Sequence, residues 1–254
     1  MEVGIKLWST NPVEYVKDSD FADFIEVLPR NARSLDKFAR RKRKYIIHVP
    51  HELFGFSPIH NMRKSQKLLQ HAVNAAKKLK AELLVMHTGR IKEEPNEEFI
   101  RKAIKAAAKL AKTVSYGRIL VENSYPKSAF DIDKGNYYLC YDYEHVKDLL
   151  EMSGAGFCLD FEHAAIAARQ LGLDYKSFVA KLMKLKPEYF HFSGTRLPKL
   201  PSGTSSEGHH MSIFEGDIDL NFVKKTIKRA NKPVCLETPV DIEQRKREVA
   251  FLKS

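Results

Sequence analysis

The chain has 254 residues, 43% hydrophobic and 30% charged, which excludes a disordered or fibrous polymer and allows a core that needs no disulfide or metal to hold it. Forty-three Lys and Arg against 32 Asp and Glu leave a net charge of +11. That favours polyanionic partners such as nucleic acid or phosphorylated metabolites, although a Lys- and Glu-rich surface serving solubility or heat tolerance gives the same sum.

Apolar runs of strand length recur along the chain: VGIKLW at 3–8, DFIEVLP at 23–29, YIIHV at 45–49 and ELLVMH at 82–87. RILVEN at 118–123, GFCLDF at 156–161, EYFHFS at 188–193 and PVCLET at 233–238 follow. Helical spacing separates them. Leu68, Leu69, Ala72, Val73, Ala76 and Leu79 form one apolar stripe, and Ile100, Ala103, Ile104, Ala107, Ala108 and Ala111 another. Each parallel strand needs a crossover element to return the chain, so eight such alternations over about 250 residues predict a single α/β domain, 1–254, folded as a (β/α)8 TIM barrel. A doubly wound open sheet is the rival. Two strand-to-helix connections, 124–140 and 194–218, are too long for plain turns and fall on the face where barrels carry their sites.

Cys140, Cys158 and Cys235 are far apart and without a C-x-x-C, which argues against a disulfide framework or a thiolate zinc site. A reducing, cytoplasmic setting is expected. No apolar run approaches the roughly 18 residues that span a bilayer, and Glu2 and Lys6 interrupt any signal-like start, so a soluble, unprocessed monomer without a membrane partner is expected.

Six consecutive strands, the third to the eighth, end in His48, His87, Glu122, Asp160, His191 and Glu237. Asp, Glu and His together fill roughly one position in six, so this run is improbable without selection. A closed barrel delivers all six to one rim. There, crowded carboxylates repel one another unless a cation neutralises them, and imidazole with carboxylate and no thiolate suits catalytic Zn, Mn or Fe. His163, His209 and His210 offer further ligands. His60, His71 and His145 read as surface or packing residues, and Glu215, Asp217 and Asp219 as caps for a helix beginning near Leu220. The basic run Arg40, Arg41, Lys42, Arg43, Lys44 precedes the third strand and therefore belongs to the opposite face, as a solvated edge. Arg33, Arg90, Arg196 and Lys199 are better placed for phosphate contact.

The motifs IIHVPHELF, VMHTGR, ILVENS, GFCLDFEHA and VCLETP, in this order, resemble the xylose isomerase-like TIM-barrel superfamily and within it the endonuclease IV group of abasic-site nucleases. The resemblance runs from about Tyr45 to Pro239 and implies a first metal on His48, His87 and Glu122. It implies a second on Glu122, Asp160, His191 and Glu237, with Glu122 bridging, and a third on His163 and His210. It further implies two or three divalent ions, Zn with Mn as the other choice, and water attacking a DNA backbone phosphodiester at an abasic or damaged site. Glu122 and Glu237 are expected as the catalytic carboxylates, and Arg33, His51, Arg90 and Arg196 as substrate contacts. The chain departs from that pattern at Gly208, where the third ion's carboxylate is missing unless Glu207 or His209 replaces it. It departs again at Gly194, which lacks an Asp, and at His51, which replaces an aromatic. FEGDID at 214–219 is closer to sugar isomerases and epimerases. The alternative is therefore a sugar or sugar-phosphate isomerase with one ion and a Glu122/Glu237 acid–base pair. A third reading is a relative that binds metal or nucleic acid with an impaired site.

Overall fold

The computed structural model describes residues 1–31, 33–92, 94–128, 136–197 and 209–254. Eight parallel strands close into a barrel: β1 Val3–Trp8, β2 Phe24–Leu28, β3 Lys44–His48, β4 Leu83–Met86, β5 Arg118–Glu122, β6 Gly156–Asp160, β7 Tyr189–Phe192 and β8 Val234–Leu236. Each strand pairs with the next in sequence, and β8 closes the ring by pairing Val234 with Val3 of β1. The open-sheet alternative is thereby excluded. Each expected strand is present within a residue or two of its expected bounds.

Strand alternation sorts the side chains into two populations. Residues pointing outward, such as Ile5, Leu7, Ile25, Val27, Ile47 and Leu84, pack beneath the helices in the main core. The helix Met62–Leu79 buries Leu69, Ala72, Val73, Ala76 and Leu79 against it, and the helix Glu97–Ala111 buries the whole alanine-rich stripe. Asn61 and Asn96 cap these helices, accepting from the amides of Lys64 and Phe99, so each begins where a side chain replaces the missing backbone acceptor. Inward-pointing Phe24, Ile46, Val85, Leu120, Cys158, Tyr189 and Cys235 fill the barrel itself. Gly4 completes this layer without a side chain, because the Phe24 ring occupies its place and a Cβ there would lie 2.1 Å from Phe24 Cε2.

Advancing two residues along each strand returns to the inward face one layer higher. That step leads from Gly4 to Lys6, Phe24 to Glu26, Ile46 to His48 and Val85 to His87. It leads likewise from Leu120 to Glu122, Cys158 to Asp160, Tyr189 to His191 and Cys235 to Glu237. An apolar plug thus supports a polar ring, and the basic run at 40–44 lies at the other end, where β3 begins. The long connections carry their own ordering: Arg90–Ile91 pairs antiparallel with Tyr137–Tyr138, and Gly194 pairs with Met211. Asp219 caps the helix Leu220–Ala230 as expected, accepting from Phe222 N at 3.0 Å, whereas Asp217 instead accepts from Leu197 N at 2.8 Å. Among the described residues, no helix is long and apolar enough to cross a membrane.

Candidate metal centre

Glu122, at the end of β5 and 1% exposed, is the hub of the ring. Its Oε2 lies 3.1 Å from His87 Nε2, 3.3 Å from His191 Nδ1 and 3.5 Å from His48 Nε2, while Oε1 lies 3.1 Å from His163 Nδ1. His191 Nδ1 also reaches Glu237 Oε1 at 2.8 Å, and the same oxygen holds Lys6 Nζ at 2.7 Å. Asp160 caps the next helix with Oδ1, which accepts from His163 N at 2.8 Å, and leaves Oδ2 buried and unpartnered. Asn123 locks the ends of β5 and β6 together through both backbone groups of Asp160.

The imidazoles are aimed from behind. His48 Nδ1 donates to the Val49 carbonyl at 2.9 Å, His191 Nε2 to Glu26 at 2.8 Å, and His87 Nδ1 to Glu52 at 3.0 Å, leaving each ring's other nitrogen toward Glu122. This fixes tautomer and ring orientation, as in metal sites where a carboxylate or carbonyl backs each histidine. Glu52 is buried, and although burial opposes its charge, His87 holds its carboxyl down at about 2. Glu52→Ala is expected to weaken metal affinity roughly 10- to 100-fold without unfolding the barrel, read by competition with a chromogenic chelator. Unchanged affinity would show that His87 needs no support.

Acidic and basic groups in the ring shift one another. Burial alone would raise Glu122, yet His87 and His191 hold it well below the carboxylate range, and His191 with Lys6 does the same for Glu237. In return, against the effect of burial, Glu52 and Glu122 raise His87, while Asp160 and Glu122 raise His163 to about 9. Asp160 is pushed up to about 6 by burial, with Glu122 adding repulsion. Protons on imidazole thus neutralise carboxylates that a cation would otherwise neutralise.

The donor set fits a metal on a separate count. Of nine buried side-chain atoms without a well-directed hydrogen bond among the described residues, six belong here, several of them meeting one another only as the ion pairs above: Glu26 Oε1, His48 Nε2, both Glu122 oxygens, Asp160 Oδ2 and His191 Nδ1. Such atoms are rare in folded proteins unless something unseen satisfies them. Ligand atoms within 4.8 Å of one another form sets on His48, His87 and Glu122, on Glu122, Asp160 and His163, on Glu26, His48, His191 and Glu237, and on Glu162, His209 and His210.

Of the residues expected at the site, His48, His87, Glu122, Asp160, His163, His191 and Glu237 converge. His210 lies at the margin, its Nε2 3.9 Å from Glu237 Oε2. His51 stacks on His87 with centroids 5.4 Å apart and lines the mouth. Arg90 instead lines a neighbouring cavity of about 520 Å³ with Glu52, His60 and Phe99. Arg33, at the start of a short 3-10 turn, and Arg196, on a loop, are exposed, and Lys199, Glu207 and Gly208 lie outside the described residues. His60 and His71 stand apart from the ring, and His145 packs against Tyr141. Lys6, Glu26, Glu52 and Glu162 were not anticipated. Lys6 and Glu26 had a legible signal, a charge inside an apolar strand in phase with the other six.

Gly194 has a structural reason. Its backbone exchanges hydrogen bonds with Met211 at 3.0 and 2.8 Å, and a Cβ would stand 2.1 Å from the Ser212 carbonyl. The missing side chain lets the returning loop dock on β7 and brings His209 and His210 to the rim. Gly194→Ala is expected to cost about 2–3 kcal/mol by overpacking against backbone, lowering the thermal midpoint by roughly 4–12 °C. A midpoint within a degree of wild type would refute this docking.

The closed parallel barrel and its rim of imidazoles and carboxylates define a TIM-barrel protein with a candidate metal centre. The sequence model of the xylose isomerase-like TIM barrel matches residues 13–254, and the chain belongs to that family. The probable endonuclease 4 of Mycobacterium leprae (strain Br4923) is 24% identical over 267 aligned positions, covering 100% of this chain and 98% of that protein. The protein of the same name from Mycobacterium ulcerans (strain Agy99) is 25% identical over 214 residues, 82% of this chain and 77% of its own. Among solved structures, a D-tagatose 3-epimerase-like protein superposes with a TM-score of 0.70 at 17% identity, covering 100% of this chain and 94% of that one. Endonuclease IV from Thermus thermophilus superposes with 0.68 at 18%, covering 100% and 98%. These two likenesses establish the fold.

Proposed function

We propose that this protein is a metal-dependent phosphodiesterase of the endonuclease IV type, a single domain acting on the DNA backbone at abasic or damaged sites. The observation that carries the reading is the crowding on Glu122, whose Oε2 faces His48, His87 and His191 and whose Oε1 faces His163, with Asp160 grouped on the His163 side and Glu237 on His191. One ion leaves His48 and His87 without employment, whereas two ions sharing Glu122 use every donor. Two divalent ions there, zinc in first place, would activate water and stabilise the attacking and leaving oxygens.

The chain's own residues do the rest. Glu26, Glu52 and the Val49 carbonyl keep the imidazoles oriented, and Glu122 and Glu237 draw the cations to one place. The Lys6 ammonium, held charged by Glu237 and Glu26, sits at the mouth where an anionic phosphate oxygen would approach. A groove of about 630 Å³ beside it, lined by Trp8, Tyr15, His51 and Leu53, offers aromatic and apolar surface to a sugar or base. The one-ion isomerase remains the second reading, favoured by Lys6 against Glu237, a cation beside a candidate proton-transfer carboxylate.

Incision of a duplex with one abasic site, with and without chelator, tests the choice, together with metal analysis of wild type and His87→Ala. Chelator-sensitive incision and two or more ions, with His87→Ala losing an ion and most activity, are expected. One ion and no incision would transfer the assignment to the isomerase.

A further inference from the structure

Glu162 takes no part in the Glu122 ring. It stands two residues after Asp160, in the first turn of the helix Phe161–Leu171, and is fully buried. A buried carboxylate needs partners, and here they come from the long connection after β7. His209 Nδ1 lies 2.7 Å from Oε1, His210 Nδ1 3.0 Å from Oε2, and the His210 amide donates to Oε1 at 3.1 Å. Ser193 Oγ donates to Oε2 and lies 3.1 Å from His210 Nδ1. Consecutive residues usually send their side chains apart. These two converge because His210 adopts φ +51°, bringing the ring centroids to 3.8 Å. A left-handed conformation at a residue other than glycine costs about 1–2 kcal/mol, and such strain persists where the surroundings enforce it, often at functional sites.

We propose that Glu162, His209 and His210 bind one divalent cation of the zinc class, as a site separate from the Glu122 centre. Two imidazoles and one carboxylate with an open fourth position are a catalytic zinc set. Tetrahedral donors at zinc bond lengths are about 3.3 Å apart, so the carboxylate–imidazole spacings of 2.7 and 3.0 Å need open by about 0.3 to 0.6 Å. The set shares only His210 with the third set implied by the resemblance. His163 groups instead with Glu122 and Asp160, its Nδ1 3.1 Å from Glu122 Oε1, and its ring centre lies 6.4 Å from that of His210. Glu162 thus supplies the carboxylate that Gly208 does not. Both rings line the 630 Å³ groove, where an anionic oxygen of the substrate could complete the coordination.

The proposal rests on the two-ion reading of Glu122, and its test separates the two. The full chain is stripped with chelator, reloaded with zinc, desalted and analysed for metal per chain, alongside Glu162→Gln, His209→Ala and His87→Ala. Glu162→Gln is isosteric and His209 is partly exposed, and circular dichroism checks the fold of each. Three ions in wild type and two in both Glu162→Gln and His209→Ala are expected. Unchanged metal content in those two variants overturns this site. An ion lost from them with none lost from His87→Ala supports this site and overturns the two-ion reading.

Discussion

Glu122→Gln is expected to abolish phosphodiesterase turnover while leaving the barrel folded. The substitution preserves volume and removes the charge around which His48, His87, His163 and His191 gather within 3.5 Å. If two cations share this carboxylate, both sites lose a ligand at once, and several kcal/mol of transition-state stabilisation are forfeited, on the order of a thousandfold or more in kcat. Metal content should fall by up to two ions per chain. A variant that keeps its ions and more than a tenth of its rate would show that Glu122 bridges nothing.

Removing the ions is expected to lower the thermal midpoint strongly, and more so as pH rises. Ligands at about a thousand times their dissociation constant stabilise by about 4 kcal/mol, which for a domain of this size shifts the midpoint by roughly 8–16 °C. The pH dependence follows from the imidazoles. In the metal-free ring, His87, His191 and His163 have raised pKa values, the last to about 9. A group raised on folding contributes stability that is complete below its unfolded value of about 6.5 and is lost as pH climbs through the folded value. The metal-free protein should therefore weaken between about pH 6.5 and pH 9. Glu122 and Glu237, lowered on folding, contribute above about 4.5 and lose that contribution toward acid. Cations compete with the imidazole protons, so their hold tightens over the window in which the metal-free form weakens. Scans with zinc and with chelator at pH 6, 7.5 and 9 should show a widening gap. A gap that is constant or shrinks would mean that these histidines are not ligands.

Much of the rim was legible because alternation along a strand is a local property. His48, Glu122, Asp160, His191 and their neighbours could be placed on the inward face from a two-residue period and the ends of apolar runs alone. Lys6 and Glu26 obey the same period and escaped notice because they sit inside β1 and β2, where their strands continue beyond them for two further residues. Glu52 and Glu162 offered no such signal. Their partners His87 and His209 stand 35 and 47 positions away, and only the folded loops bring them together. Arg90 shows the converse: its loop sends it into the neighbouring cavity with Glu52, because loop direction is not set by strand phase.

By itself, then, the amino-acid order determined the barrel, the phase of each strand and the residue types gathered at its rim, since these follow from hydrophobic periodicity and residue type. Only the tertiary structure decided which carboxylate backs which histidine, that Asp160 caps a helix with one oxygen and keeps the other for the site, and that Gly194 admits His209 and His210 to Glu162. Those outcomes depend on ångström-scale approach between segments remote in sequence, and closure of the barrel sets that approach.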